Sequence, residues 1–301
     1  MIENLHWVLA IRHETLTPFF RFFPMVASEN FYLVLIALGY WSWKREIFRD
    51  LAILLCASTL VNVFLKAIFQ IPRPTIEHLV PVLDPYGFPS GDVQVLATVW
   101  LAAAWYFKNR ILWVFTLLLI LLVGFSRIYL GVHSVTDVVV GGFIGTTVFL
   151  GYRVIKNNPQ LSNQPSSCSP LNLKFFILFF ALLVLYFLTV YPEIGNPGGK
   201  LRIAVPGMLL GVVLGEKLMD YIGFQFKPET LYPSLLSRML TGIFGLGSFL
   251  FLRRSLGFFW VLENGMIFLF LSYVFLGFYF IYAYPNMMTK ILKAPRLHEV
   301  P

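Results

Sequence analysis

The sequence predicts an all-α protein that crosses a membrane many times, and three observations predict it. Hydrophobic residues make up 58% of the 301 positions, aromatic residues 17% and charged residues only 13%, with a mean hydropathy of +0.75. A water-soluble domain carries about 25% charged residues, so this chain lacks the polar surface needed to coat a soluble globule. Apolar runs recur to the end of the chain, and each needs a solvent of low dielectric in which only internally hydrogen-bonded backbone survives. Between the runs, lysines and arginines stand in short clusters, as membrane insertion leaves them. The same composition excludes a disordered chain, a collagen and a disulfide scaffold. A net charge of +8 does not imply nucleic acid, because no contiguous basic face accompanies it. Cys56 and Cys168 form no framework.

Taken in order, residues 1–27 read as an interfacial amphipathic segment. They are rich in Leu, Trp and Phe but interrupted by Arg12, His13, Glu14 and Arg21, a pattern suited to lying in the interface. Residues 28–155 hold apolar segments at 30–43, 48–70, 92–107, 111–130 and 134–154. Residues 156–172 are polar and rich in Asn, Ser and Pro, the composition of a cytoplasmic linker. Residues 173–285 add about four more spans, at 173–191, 201–222, 237–252 and 264–284, before a cytoplasmic tail over 286–301. A span needs about 20 residues, so eight to ten spans are expected in all.

Orientation follows from the basic residues. With the 44–49 loop inside, fourteen of the 23 lysines and arginines face the cytoplasm and six face outward, with Lys66, Arg73 and Arg127 set aside. The loops after the second and fourth spans then face outward.

Those two loops carry the chemistry. Lys66 and Arg73-Pro74 give K-x6-R-P, Pro89-Ser90-Gly91-Asp92 opens the third span, and Ser126-Arg127, His133 and Asp137 give S-R-x5-H-x3-D. Ionisable groups gathered at one membrane boundary are costly and mark a site. Lys66, Arg73 and Arg127 supply positive charge for a phosphoryl group, with arginine suited to bidentate contact. Ser90 and Gly91, at a helix start, offer a hydroxyl and free backbone N–H groups to an anion. His133 and Asp137, four apart at the start of the fifth span, fall on one helical face, where the carboxylate can fix the imidazole tautomer.

These three motifs, in this order, resemble the type-2 phosphatidic acid phosphatase superfamily over residues 28–155, in the manner of bacterial integral-membrane lipid phosphatases. The resemblance implies a helical phosphatase core, followed here by about four additional C-terminal transmembrane helices. It implies that His133 attacks phosphorus to form a phosphohistidine, that Asp137 orients it, and that Lys66, Arg73, Ser90, Gly91 and Arg127 bind phosphate. It implies no metal and no cofactor. It places the protein in a bacterial inner membrane, with the site on the extracytoplasmic face. The chain departs from the family at Asp92, where a histidine acts as general acid. An unperturbed Asp titrates near 3.9 against about 6.5 for His, and nearby cations hold it ionised. Three readings follow. In the first the substrate is a lipid diphosphate such as undecaprenyl diphosphate, whose leaving group needs no proton. In the second it is a monoester such as phosphatidic acid or phosphatidylglycerophosphate, with Asp92 protonated on binding or His78 standing in. Or the protein is a phosphotransferase or a non-hydrolytic lipid-phosphate binder.

In the back half, Gly207, Gly211 and Gly215 form a small-residue stripe that permits close helix packing, within the chain or in a homo-oligomer. Glu216 and Asp220 read as a solvated helix end, and Arg253-Arg254 as an outward interface anchor. The partners expected are the lipid bilayer and a lipid phosphate or diphosphate.

Overall fold

The computed structural model describes residues 5–82, 84–158, 199–231, 234–263 and 266–293. Most of the 156–172 linker, Cys168, the expected span 173–191 and the end of the tail lie outside the described residues. The helices are α1 (His6–Ile11), α2 (Thr17–Val26), α3 (Glu29–Ser42), α4 (Arg45–Phe69), α5 (Gly91–Phe107), α6 (Arg110–Tyr129), α7 (Val135–Asn157), α8 (Gly199–Tyr221), α9 (Pro228–Leu231), α10 (Leu235–Glu263), α11 (Met266–Phe278), a π-helical turn (Tyr279–Ala283) and α12 (Tyr284–Lys293). Among the described residues the β-structure amounts to one antiparallel bridge between Pro72 and Tyr86. Helices α4, α6, α7 and the stretch Ile267–Ile291 are each long and apolar enough to cross a membrane, and α2 with α3, bent by 46°, would make a fifth if the pair is one span. The fold is therefore all-α and membrane-integral. It divides into two compact units, one made of Met1–Tyr32 and Leu54–Arg202, the other of Leu33–Ile53 and Ile203–Pro301.

In the first unit α5 is the central helix. Its apolar residues from Val93 to Ala104 are buried almost without interruption, so it has protein rather than lipid for solvent. Glycines make this possible. A Cβ on Gly141 would sit 2.6 Å from the carbonyl oxygen of Ser90, and one on Gly145 would collide with the carbonyl of Gln94. Helix α7 thus lies backbone to backbone on α5, the small-residue packing that membrane helices use.

A polar seam runs beneath this contact. Asn62 Nδ2 donates to the Pro89 carbonyl (3.1 Å) and to Gln94 Oε1 (3.0 Å), and Gln94 Nε2 donates to the Ser58 carbonyl (2.8 Å). Thr98 Oγ1 lies 3.0 Å from Ser58 Oγ and from the Gly145 carbonyl. Each amide and hydroxyl finds a partner inside the bundle, as a medium without water requires.

The N-terminal segment forms two short helices rather than one. Trp7, Ile11, Leu16, Phe19, Phe22 and Met25 are exposed, while Arg12 donates to the carbonyls of Tyr129 (3.1 Å) and Glu77 (2.8 Å) and Arg21 to that of Leu79 (3.0 Å). The segment thus has an apolar outer face, with its basic residues tied inward.

In the second unit the glycine stripe of α8 is occupied within the chain. A Cβ on Gly207 would lie 2.6 Å from the Phe270 carbonyl oxygen, and one on Gly211 would strike that of Val274. Of the two packings the stripe allows, within the chain or in a homo-oligomer, Gly207 and Gly211 make the first, against α11, whose Gly277 reciprocates against Met208. The π turn shifts the hydrogen-bond ladder, and two of its carbonyls accept from outside: Phe280 from Trp41 Nε1 (3.0 Å) and Ile281 from the Tyr40 hydroxyl (3.1 Å). Glu216 is not a solvated helix end. It pairs with Arg45 (3.2 Å) and Arg49 (3.4 Å), and Arg49 also pairs with Asp50 (2.8 Å). Nor do Arg253 and Arg254 end a helix. They lie inside α10, because arginine is a good helix former and its long stem can carry the charge to the interface.

Replacing Gly145 by valine forces the α5–α7 contact apart and is expected to cost about 1–3 kcal/mol. It should lower the thermal midpoint in detergent, read by tryptophan fluorescence. Gly151→Val, where a Cβ meets nothing within 4 Å, should leave the midpoint unchanged.

Candidate active site

The motif residues come together at one end of α4–α7. Lys66 lies in the last turn of α4, Ser90 is the N-cap of α5, Arg127 lies in the last turn of α6, and His133 and Asp137 flank the start of α7. The loop between α4 and α5 is closed at its base by the Pro72–Tyr86 bridge and by Gly87 N donating to the Ile71 carbonyl (2.9 Å). That closure carries Arg73 and Pro89-Ser90-Gly91 to the same place.

The turn from α6 to α7 passes through Gly131, whose φ of +80° suits a residue without a Cβ. His133 follows, 4% exposed. It does not share a helical face with Asp137 as expected, because Ser134 takes the N-cap and leaves His133 just outside the helix. Ser134 Oγ accepts from Asp137 N (3.1 Å), and Asp137 Oδ2 accepts from Ser134 N (2.8 Å), a closed capping box. The same Oδ2 lies 3.5 Å from His133 Nδ1, an ion-pair contact longer than an ordinary hydrogen bond. The other ring nitrogen, Nε2, lies 3.3 Å from Arg73 Nη1. A guanidinium can only donate, so Nε2 presents its lone pair and Nδ1 carries the proton toward Asp137.

Arg73 is fixed on its other atoms. Its Nε donates to the Asp84 carbonyl (2.7 Å) and its Nη1 to the Val132 carbonyl (2.7 Å). Lys66 Nζ donates to the Tyr86 carbonyl (3.0 Å) and lies 3.4 Å from Asp84 Oδ2. Burial pushes the His133 imidazole well below its ordinary value, and the charges of Arg73, Lys66 and Arg127 add to the effect. Both effects favour the neutral ring. Ser90 Oγ and Arg127 Nε are buried and have no hydrogen-bond partner among the described residues, an arrangement that an arriving oxyanion would satisfy. Ser90 N donates to the Asp137 carbonyl (3.0 Å), which ties the second motif to the third. A Cβ on Gly91 would meet Asn62 Oδ1 at 2.8 Å.

Asp92 is ion-paired with Arg127. His78, the possible stand-in acid, turns back on its own loop, with Nε2 3.1 Å from the Pro74 carbonyl oxygen. Two residues at the site were missed. Asp84 meets both Lys66 and Arg202, and Arg202 Nη2 lies 3.6 Å from its Oδ1. The sequence signal for Asp84 was faint, one carboxylate in a loop that already held two cation motifs at its edges. Arg202 offered none.

The PAP2 superfamily profile matches residues 48–160, the stretch that carries all three motifs. This stretch is a PAP2 superfamily domain. Lipid phosphate phosphatase delta of Arabidopsis thaliana is 27% identical over 258 residues, which are 76% of this chain and 60% of that protein. Phosphatidylglycerophosphatase B of Bacillus subtilis (strain 168) is 31% identical over 128 residues, 39% of this chain and 62% of that protein. The chain thus spans about 60% of the length of these two relatives. The crystal structure of the transmembrane PAP2-type phosphatidylglycerolphosphate phosphatase from Bacillus subtilis aligns over 50% of this chain and 81% of its own, at 24% identity and a TM-score of 0.45.

The neutral state of His133 in the PAP2 site can be tested directly. An ordinary histidine is half protonated near pH 6.5. With the value lowered, the neutral form persists as pH falls through 6.5 and protonation begins only below it. In carbon-13 histidine-labelled protein, the resonance absent from His133→Ala should stay still between about pH 7.5 and 5.5. A midpoint at or above 6.5 contradicts the geometry.

Proposed function

We propose that the protein is a membrane lipid phosphatase that hydrolyses a phosphate ester or anhydride at the extracytoplasmic face through a phosphohistidine. The observation that carries this is a buried His133 whose Nε2 lies 3.3 Å from Arg73 Nη1, with its Nδ1 toward Asp137 and with Lys66 and Arg127 close enough to act on it electrostatically. In the first step Nε2 forms a bond to phosphorus as the bond from phosphorus to the leaving oxygen breaks. The imidazolium that results keeps its Nδ1 proton toward Asp137. Lys66, Arg73, Arg127, Ser90 and the backbone N–H of Gly91 hold the phosphoryl oxygens and stabilise the charge that develops on them. Water then attacks phosphorus, breaks the P–N bond, gives up a proton and releases inorganic phosphate. The reading invokes no metal and no cofactor, because the chain's own cations supply the charge.

Asp92 bears on the substrate. As a carboxylate paired with Arg127 it holds no proton to give in the first step, yet it can take one from the attacking water in the second. General acid catalysis is worth about 10²- to 10⁴-fold, and a substrate whose leaving group is itself a phosphate needs it least. The pair therefore favours a lipid diphosphate such as undecaprenyl diphosphate. A second reading, a lipid monophosphatase, is favoured by the relatives, named for lipid phosphate and phosphatidylglycerophosphate. The charge bias supports an outward-facing site end of α4–α7, and with it the reading of a bacterial inner-membrane protein.

The test is phosphate release by purified protein in detergent from undecaprenyl diphosphate and from phosphatidic acid. Wild type should cleave the diphosphate at neutral pH with or without a chelator, Asp92→His should gain monoester activity by at least tenfold, and His133→Ala should lose turnover. A wild type that prefers the monoester moves the assignment to the second reading. No release from either, unchanged by His133→Ala, removes hydrolysis and leaves transfer or binding.

A further inference from the structure

Asp84 meets both cations of the first motif, Lys66 through its carboxylate and Arg73 through its backbone carbonyl, and its carboxylate also faces Arg202. Its Oδ2 lies 3.4 Å from Lys66 Nζ, its Oδ1 accepts from Tyr86 N (3.0 Å) and lies 3.6 Å from Arg202 Nη2, and its backbone carbonyl accepts from Arg73 Nε (2.7 Å). The side chains of Lys66 and Arg202 are 8% and 2% exposed, while that of Asp84 is 22% exposed. Two buried cations thus both face the Asp84 carboxylate, which is more accessible than either. Arg202 also stands outside the matched PAP2 stretch of residues 48–160, in the first turn of α8.

Buried cations need a nearby negative charge, and a carboxylate presents to ammonium and guanidinium groups the same kind of charged oxygens as one edge of a phosphoryl group. A phosphate dianion carries twice the charge and more oxygens, so it competes well for the same donors. Asp84 sits on a loop, and its exposure leaves it room to yield.

We propose that Asp84 is an internal counter-anion of the phosphate cradle and that Arg202 is a further cation of that cradle: the substrate's phosphoryl group displaces the Asp84 carboxylate and takes over Lys66 and Arg202. The inference rests on the phosphatase reading and adds to it a residue that opposes binding and one that assists it. It also predicts opposite signs for the two partners of one ion pair. A merely structural pair would not behave so, because breaking it from either side would loosen the same loop.

The experiment is calorimetric binding of orthovanadate to the full chain in detergent, with monodispersity and thermal midpoint as folding checks. Asp84→Asn keeps an oxygen for Tyr86 N but removes the competing charge, and vanadate should bind about tenfold tighter, the scale of one partly buried ion pair. Arg202→Gln should bind it about tenfold weaker. In the Arg202→Gln background, Asp84→Asn should gain less, because the carboxylate then masks Lys66 alone. Vanadate affinity that is unchanged or weaker in Asp84→Asn, or unchanged in Arg202→Gln, overturns the proposal. The readout uses no lipid, so it stands apart from whether wild type releases phosphate from any lipid. An active enzyme with the wrong vanadate signs sinks this inference alone.

Discussion

Asp137 Oδ2 meets two groups at once, the backbone N–H of Ser134 and the Nδ1 of His133, and the rest of the site is arranged around that double contact. The first closes the capping box that starts α7, and the second aims the imidazole. Helix initiation and orientation of His133 are thus one interaction. The carbonyl of Asp137 accepts from Ser90 N, so the start of α5 is indexed to the start of α7. Moving either helix by one residue would break that bond.

What holds the two helix starts in register is the absence of side chains at Gly141 and Gly145 and the polar seam of Ser58, Asn62, Gln94 and Thr98. In a bilayer, apolar surface alone does not drive one helix onto another, since lipid tails are as apolar as leucine. Close backbone approach and satisfied hydrogen bonds supply the specificity instead. The seam is directional, since each amide has one arrangement that pairs all its atoms. It fixes the rotation of α4 about its axis and with it the direction in which Lys66 points.

Much of this was legible in the sequence. Apolar runs located the helices because hydropathy reports the solvent, and the spacing of Lys66, Arg73, Ser90, Arg127, His133 and Asp137 foretold that these residues gather at one end of α4–α7, because they stand at or near helix ends. The misread parts have physical reasons. The spacing of His133 and Asp137 suggested a shared helical face, but Ser134 competes for the N-cap, a signal visible in Ser134-Val-Thr-Asp137. Glu216 looked solvated because its partners Arg45 and Arg49 are about 170 residues away in sequence, and pairing at that distance leaves no local trace. Arg253-Arg254, read as an interface anchor just past the apolar stretch 237–252, lie within α10, because helix propensity carries the helix on where hydropathy stops. Asp84 and Arg202 were hidden for the same reason as Glu216, since only the folded loop brings them together.

The length of α5 sets a depth. Seventeen residues at about 1.5 Å each reach roughly 25 Å, while the hydrocarbon core of a bilayer is about 30 Å thick. With its Phe107 end level with the basic Lys108–Arg110 turn at one surface, the other end falls a few ångströms short of the opposite headgroups. If α5 stands upright in the bilayer, Ser90, Gly91 and Asp92 lie at the level of the upper acyl chains rather than among the headgroups. A lipid whose phosphate is to reach them must sink below its neighbours. A water-soluble phosphate ester of the same headgroup, with no tail to draw it down, would have to shed its hydration with nothing in return.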